Sequence, residues 1–299
     1  LIAGPGWIVP GALKMLGGAF LAFLALQMQV PLAQALEPTQ MYLAGYAYVF
    51  SDPASNIPAR SLSAKIKSHG VGADQIYGRF TYRVMPQLMA GISKKIQVRL
   101  SASASNMHTD RLEAESIGLG MKYRFLSKDG IHRHFRMAAF VDGSLSRVPF
   151  HYEEISLMGD KTGIETGLIA TQLWHKLAIS TTISRTELLD KSRYDGQVYF
   201  PARQYRSANY TLSAGYLLFP RAYKSYDQPN LNLYVEFLGQ RLIGTGFRYA
   251  DLAPALQLIL NSNTKINVGK RFQLSGNMQR MARQSWLISI ERSFLQAWR

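Results

Sequence analysis

The sequence predicts an all-β chain, a single transmembrane antiparallel β-barrel of about 12 strands preceded by a helical signal peptide. Three observations predict it. Apolar and polar residues alternate with a period of two in segment after segment. The links between those segments alternate between longer and tighter. An apolar N-terminal stretch has the build of an export signal, and no later run is apolar enough for a membrane helix. Residues 117–125, IGLGMKYRF, show the alternation at its clearest. Ile117, Leu119, Met121, Tyr123 and Phe125 share one face, and Gly118, Gly120, Lys122 and Arg124 share the other. In a membrane barrel the first face meets lipid and the second lines the lumen. In an exported sandwich or lipocalin-like barrel the first face would be core, so alternation alone leaves both architectures open.

Residues 1–35 are read as upstream sequence and signal peptide, and residues 36–299 as the barrel. Lys14 precedes an apolar core from Met15 to Leu26, Pro31 ends any helix, and Ala33-Gln34-Ala35 fits a small-x-small cleavage site before Leu36. The core is short for a span of about 20 residues. An exported chain without a helical span enters a membrane only as a closed barrel. The chain of 299 residues has no cysteine, which excludes disulfides, thiol catalysis, cysteine zinc sites and a lipidated N-terminal cysteine. Its net charge of +15 suits an anionic partner such as lipopolysaccharide or an anionic solute. The bases are scattered rather than massed, which argues against nucleic acid.

The first strand is expected over residues 39–51, with Tyr42, Tyr46, Tyr48 and Phe50 on one face, and the second over 75–84. The third, 95–105, opposes Ile96, Val98 and Leu100 to Gln97, Arg99 and Ser101. The fourth is 115–126. The fifth, 132–144, opposes Phe135, Met137 and Val141 to His134, Arg136 and Asp142. The sixth, 162–173, has the least distinct faces, and the seventh is 176–186. The eighth, 208–219, carries Tyr210, Leu212 and Tyr216 on one side. The ninth, 230–240, carries Leu233, Val235 and Phe237 opposite Glu236 and Gln240. The tenth, 251–260, contains Pro254, the mark of a bulge or a weak strand. The eleventh, 264–272, opposes Ile266 and Val268 to Lys265 and Arg271. The twelfth, 284–294, opposes Trp286, Ile288, Ile290 and Phe294 to Ser289, Glu291 and Ser293.

Odd-numbered strands are followed mostly by longer links, including 52–74 and 187–207, and even-numbered ones mostly by tight ones, such as 174–175 and 261–263. Residues 86–94 are expected as a short helical or irregular link. Short turns at one rim and long loops at the other are the outer-membrane pattern, with both termini on the periplasmic side.

Inward polar faces would bring Arg99, Lys122, Arg124, Arg136, Lys265 and Arg271 into the lumen beside Asp142, Glu165, Glu236 and Glu291. Such a set is either an anion-attracting constriction or a set of cross-strand ion pairs that fill the barrel. The 187–207 loop gathers Arg193, Tyr194, Tyr199, Phe200, Arg203 and Tyr205 as candidates to grip a ligand, or simply to pack at the barrel mouth. His132 and His134 alternate on one face without a third ligand at metal spacing, so no metal and no cofactor are expected. No nucleophile elbow, HExxH or phosphate-binding loop is present, so no enzyme is expected.

Leu119–Phe125 (LGMKYRF), Glu236-Phe237-Leu238-Gly239, residues 252–276 and the closing WLISIERSF of 286–294 together resemble the outer-membrane transporters grouped with the meta-cleavage pathway of phenol degradation. That resemblance implies a twelve-stranded barrel with a role in small-molecule uptake. The expected function is an outer-membrane channel for passive passage of small solutes, aromatic or anionic. The alternative is a non-conducting scaffold barrel of a surface or secretion assembly. The expected partners are outer-membrane lipid and lipopolysaccharide, the solute, and the barrel-assembly machinery through Trp286, Ile288, Ile290 and Phe294.

Overall fold

A computed structural model describes residues 50–72, 78–107, 109, 111–148, 152–159, 161–189, 206–220 and 228–298. Among the described residues, twelve strands form one closed antiparallel barrel, each paired with its chain neighbours and the first with the last. They are β1 (Ser61–Val71), β2 (Thr81–Gly91), β3 (Ile96–Ser105), β4 (Glu113–Asp129), β5 (Arg133–Ser146) and β6 (Gly163–Trp174). The second half comprises β7 (Leu177–Leu188), β8 (Arg206–Phe219), β9 (Asn230–Leu242), β10 (Arg248–Leu260), β11 (Thr264–Gly276) and β12 (Gln284–Phe294). Closure rests on β1 and β12, where Leu62 faces Phe294 and Lys65 faces Glu291. No sheet edge is left exposed, so every strand finds backbone partners on both sides.

The apolar face turns outward all round. Leu119, Met121, Val235 and Ile288 are 63%, 47%, 41% and 38% exposed, while their neighbours Lys122, Glu236 and Ser289 are buried inside. A sandwich or lipocalin-like core would place these apolar groups in a dry interior. An inward core is excluded by this arrangement, because the barrel interior is the polar side. Leu119 lies in the middle of β4 on the outer face. Leu119→Arg is therefore expected to destabilise the folded barrel in vesicles by about 2–4 kcal/mol, read by urea titration, the depth-dependent cost of a cation facing hydrocarbon.

Ten of the strand positions match the expected ones in place or nearly so, but the first two do not. Residues 39–49 lie outside the described residues, and Phe50 and Ser51 are not in a strand. The first strand is β1, inside the stretch expected as a long loop. Its outward residues Ala64, Ser68 and Gly70 are small, so the apolar stripe is faint, and Lys65 and Lys67 point inward. The second strand is displaced toward the C-terminus, and the expected irregular link at 86–94 is mostly strand. Pro86 sits on the outer face, where the pairing of β2 with β3 lapses between Val84 and Gln87, so its missing N–H costs no ladder bond there. Pro254 behaves likewise: pairing with β11 lapses around it, and the bulge lies at Ala250/Asp251 instead.

The rims differ as expected. Residues 92–95, 130–132, 175–176 and 261–263 make tight turns at one rim, helped by positive φ at His175, Asn261 and Ser262. Residues 147–162 and 189–205 link strands at the other. The Ala297 N–H donates to the Arg60 carbonyl, so the stretch entering β1 and the stretch leaving β12 meet at the short-turn rim.

Candidate functional site

The candidate site is the barrel interior, and two non-strand segments shape it. The first is the stretch before β1. Pro53 and Pro58 set φ and remove two donors, which disfavours a sheet and suits an extended run satisfied by side chains. Residues 50–60 climb inside the lumen from the short-turn rim to mid-barrel. Near the rim, the Ile57 N–H donates to Gln97 Oε1 at 3.0 Å. Gly91 makes room here, since a Cβ at that position would lie 2.1 Å from the Pro58 carbonyl oxygen.

Higher up, Lys122 Nζ donates to the carbonyls of Pro53 (2.9 Å) and Ser55 (2.8 Å), and the Ala54 N–H donates to Thr171 Oγ1 at 2.9 Å. Ala54 packs with Ala138, Ile169 and Phe140. At the tip, Glu236 accepts the N–H groups of Phe50 and Ser51, each at 2.9 Å, and the Ser51 hydroxyl at 2.8 Å. The Phe50 ring rests on a small apolar floor that includes Leu173, Tyr234 and Leu287.

The second segment is the β5–β6 link. Residues 152–159 fold across the long-loop end of the lumen. Ile155 exchanges two hydrogen bonds with the Gln240 side chain, at 2.8 and 2.7 Å. Glu154 pairs with Arg271 at 3.2 Å and with Arg280 at 3.0 Å. Both arginines also pair with Asp251, and Arg280 lies 3.8 Å from the centre of the Tyr249 ring. Across the barrel, Gly159 (φ +123) lies tight against Arg83, Ser103 and Glu115, where any side chain would collide. Burial alone would raise the Glu154 carboxyl, but Arg280 and Arg271 outweigh it and hold it down to about 2.

A depressed acid in the lid-down state stabilises that state fully above the ordinary value of 4.5, and the contribution is lost as pH falls toward 2. Single-channel conductance is therefore expected to rise as pH is lowered through this window, and Glu154→Gln should flatten the response.

The ten charged candidates fall as follows. Arg99 bridges Asp142 and Asp52, each at 2.6 Å. Lys265 pairs with Glu291 at 3.2 Å, and Arg136 with Asp129 at 3.2 Å. Arg271 joins the lid cluster, while Lys122 and Glu236 hold the inner segment. Glu165 accepts from Ser184 Oγ (2.5 Å) and Asn209 Nδ2 (3.2 Å). Arg124 stands at the short-turn rim and donates to the Lys94 carbonyl at 2.6 Å. Of the two sequence readings, the geometry is that of paired charges for Arg99, Arg136, Lys265 and Arg271.

Arg193, Tyr194, Tyr199, Phe200, Arg203 and Tyr205 lie outside the described residues. His134 bonds Asp129 at 2.8 Å and His132 stacks on His175 at 4.6 Å, and among the described residues no group of side chains has the makings of a metal site. Asp52, Lys67, His69, Glu154, Asp251 and Arg280 were not singled out by sequence. The alternation of Ser61, Ser63, Lys65, Lys67 and His69 was the available signal for two of them.

Between the tip of the inner segment and the β5–β6 lid lies a cavity of about 280 Å³. Its walls mix apolar groups (Phe50, Met85, Phe140 and Leu157) with Lys67, His69, Arg99 and Glu165.

No known family's profile matches the chain, and no curated protein matches it. Among solved structures the chain is similar to the COG4313 outer membrane channel from Pseudomonas putida F1. The two share 9% identity over 82% of this chain and 100% of that one, with a TM-score of 0.51. A KdgM porin is 8% identical over 78% of this chain and 99% of that one, with a TM-score of 0.41. At these identities the likeness is one of fold.

Proposed function

We propose that the chain is a channel of the bacterial outer membrane that passes small solutes passively. The observation that carries this reading is the closed barrel with an apolar outer belt and a polar interior, in which links rather than strands stand across the bore. The belt supports lipid contact through Trp286, Ile288 and their equivalents. The finer placement among transporters of the phenol meta-cleavage type, and the approach of assembly machinery to the last strand, belong to the same reading. Flux follows the solute gradient, and interior charge sets selectivity. The test is single-channel conductance and liposome swelling on refolded barrel whose folding is verified by heat-modifiable gel migration. Ion current and solute-dependent swelling are expected; a folded barrel inert in both assays would overturn the proposal.

The occupied lower lumen favours a second reading, a non-conducting scaffold barrel. A barrel that stays silent even after the Glu236 contacts are removed would support it.

A further inference from the structure

We propose that the chamber between the inner segment and the lid is a binding site for one organic carboxylate, seated by Lys67 and His69. The proposal rests on the channel reading and adds the class of solute. Lys67 is 2% exposed, lines the chamber, and among the described residues makes no hydrogen bond or ion pair. Its neighbours on the adjoining strands are Met85 and Ser289, neither an acid. Two residues on, His69 Nε2 is buried without a partner. An ammonium and an imidazole donor left unmatched on one wall are costly unless something fills them.

The other charges of the chamber are already committed. Arg99 bridges Asp52 and Asp142, which leaves one carboxylate charge in excess there, and Arg271 shares Asp251 and Glu154 with Arg280. Lys122 is held by two carbonyls, and Glu165 has hydroxyl and amide donors of its own. One buried ammonium without a hydrogen-bond partner, beside one neutral donor, matches a single carboxylate better than a divalent phosphate or sulfate. The N–H at His69 Nε2 donates to one carboxylate oxygen and Lys67 Nζ to the other.

The body of the ligand is set by the remaining wall. Phe50 stands edge-on to His69, with centroids 6.2 Å apart, and Met85, Phe140 and Leu157 supply apolar surface. A cavity of about 280 Å³ is at the small end for ligand sites, the size for a single ring.

The test uses the full folded barrel in detergent with 4-fluorobenzoate as probe, followed by fluorine NMR, and 4-fluorobenzyl alcohol as its uncharged counterpart. Saturable binding of the acid is expected. Lys67→Met should weaken it by roughly tenfold or more, the usual result of removing one partner of a buried charge pair. Lys67→Arg should retain it to within about threefold, since the charge is kept while the donor geometry changes. Binding of the alcohol should be the same in all three proteins. Equal affinity of Lys67→Met for the acid, or no saturable binding to the parent, would overturn the proposal. Gel migration of each variant reports folding. Ion conductance on the same preparations separates the two claims: current without benzoate binding sinks the carboxylate site alone, and binding without current sinks the channel.

Discussion

Glu236→Ala is expected to raise single-channel conductance several-fold. The carboxylate is fully buried and is the acceptor for two backbone N–H groups and one hydroxyl at the tip of the inner segment. Its removal leaves buried donors unmatched at about 1–3 kcal/mol each. Since about 1.4 kcal/mol is a factor of ten in population, the seated state of residues 50 and 51 loses its dominance. The rest of the segment keeps Arg99, Lys122, Thr171 and Gln97, so the tip lifts while residues 52–60 stay anchored. Glu236→Gln retains one acceptor oxygen and should fall between the two. Recordings at the single-channel level, in which open dwell times lengthen, check this; an unchanged current in a folded Ala variant would show that the tip is not the barrier.

Arg280→Ala should free the lid at the opposite end. Its guanidinium donates to both oxygens of Glu154, at 3.0 and 3.1 Å, and to both oxygens of Asp251, at 2.9 Å each. Removing one partner of such a buried network costs about 3–5 kcal/mol, because it strands the remaining charge. Asp251 sits on the barrel wall and keeps its close Arg271 contact, whereas Glu154 keeps only the 3.2 Å contact to Arg271, belongs to a link and can reach water. The lid therefore yields before the wall does. The chain has no cysteine, so a single Ile155→Cys reports directly. Ile155 is buried in the parent. Its labelling by a water-soluble maleimide should speed up by at least an order of magnitude in the Arg280→Ala background, as a shift of this size implies. Equal labelling rates would place the lid's anchor elsewhere, at the Gln240 bonds.

These two expectations concern residues that a reading of the chain treats very differently. Glu236 lies in a strongly alternating strand, opposite Val235 and Phe237, and its inward aim was legible there. Its partners were not, because Phe50 and Ser51 stand 186 and 185 residues away in sequence. The faint outer stripe of β1 concealed Lys67 and His69, since Ala, Ser and Gly on the lipid side leave the alternation without contrast. Arg280 and Glu154 lie in links, where no periodicity marks which side chain turns inward, and they meet across 126 residues.

The period of two determined by itself which residues share a face; the alternation of link lengths and the export signal favoured a closed barrel, and the structure turns Leu119, Met121, Val235 and Ile288 outward. Side-chain direction in a strand is a local property, and every second residue carries it. Which interior charges neutralise one another, and which are left over, was decided only when twelve strands closed and two links entered the bore. An ion pair depends on distance, and across a barrel that distance is set by closure and strand register rather than by neighbours along the chain.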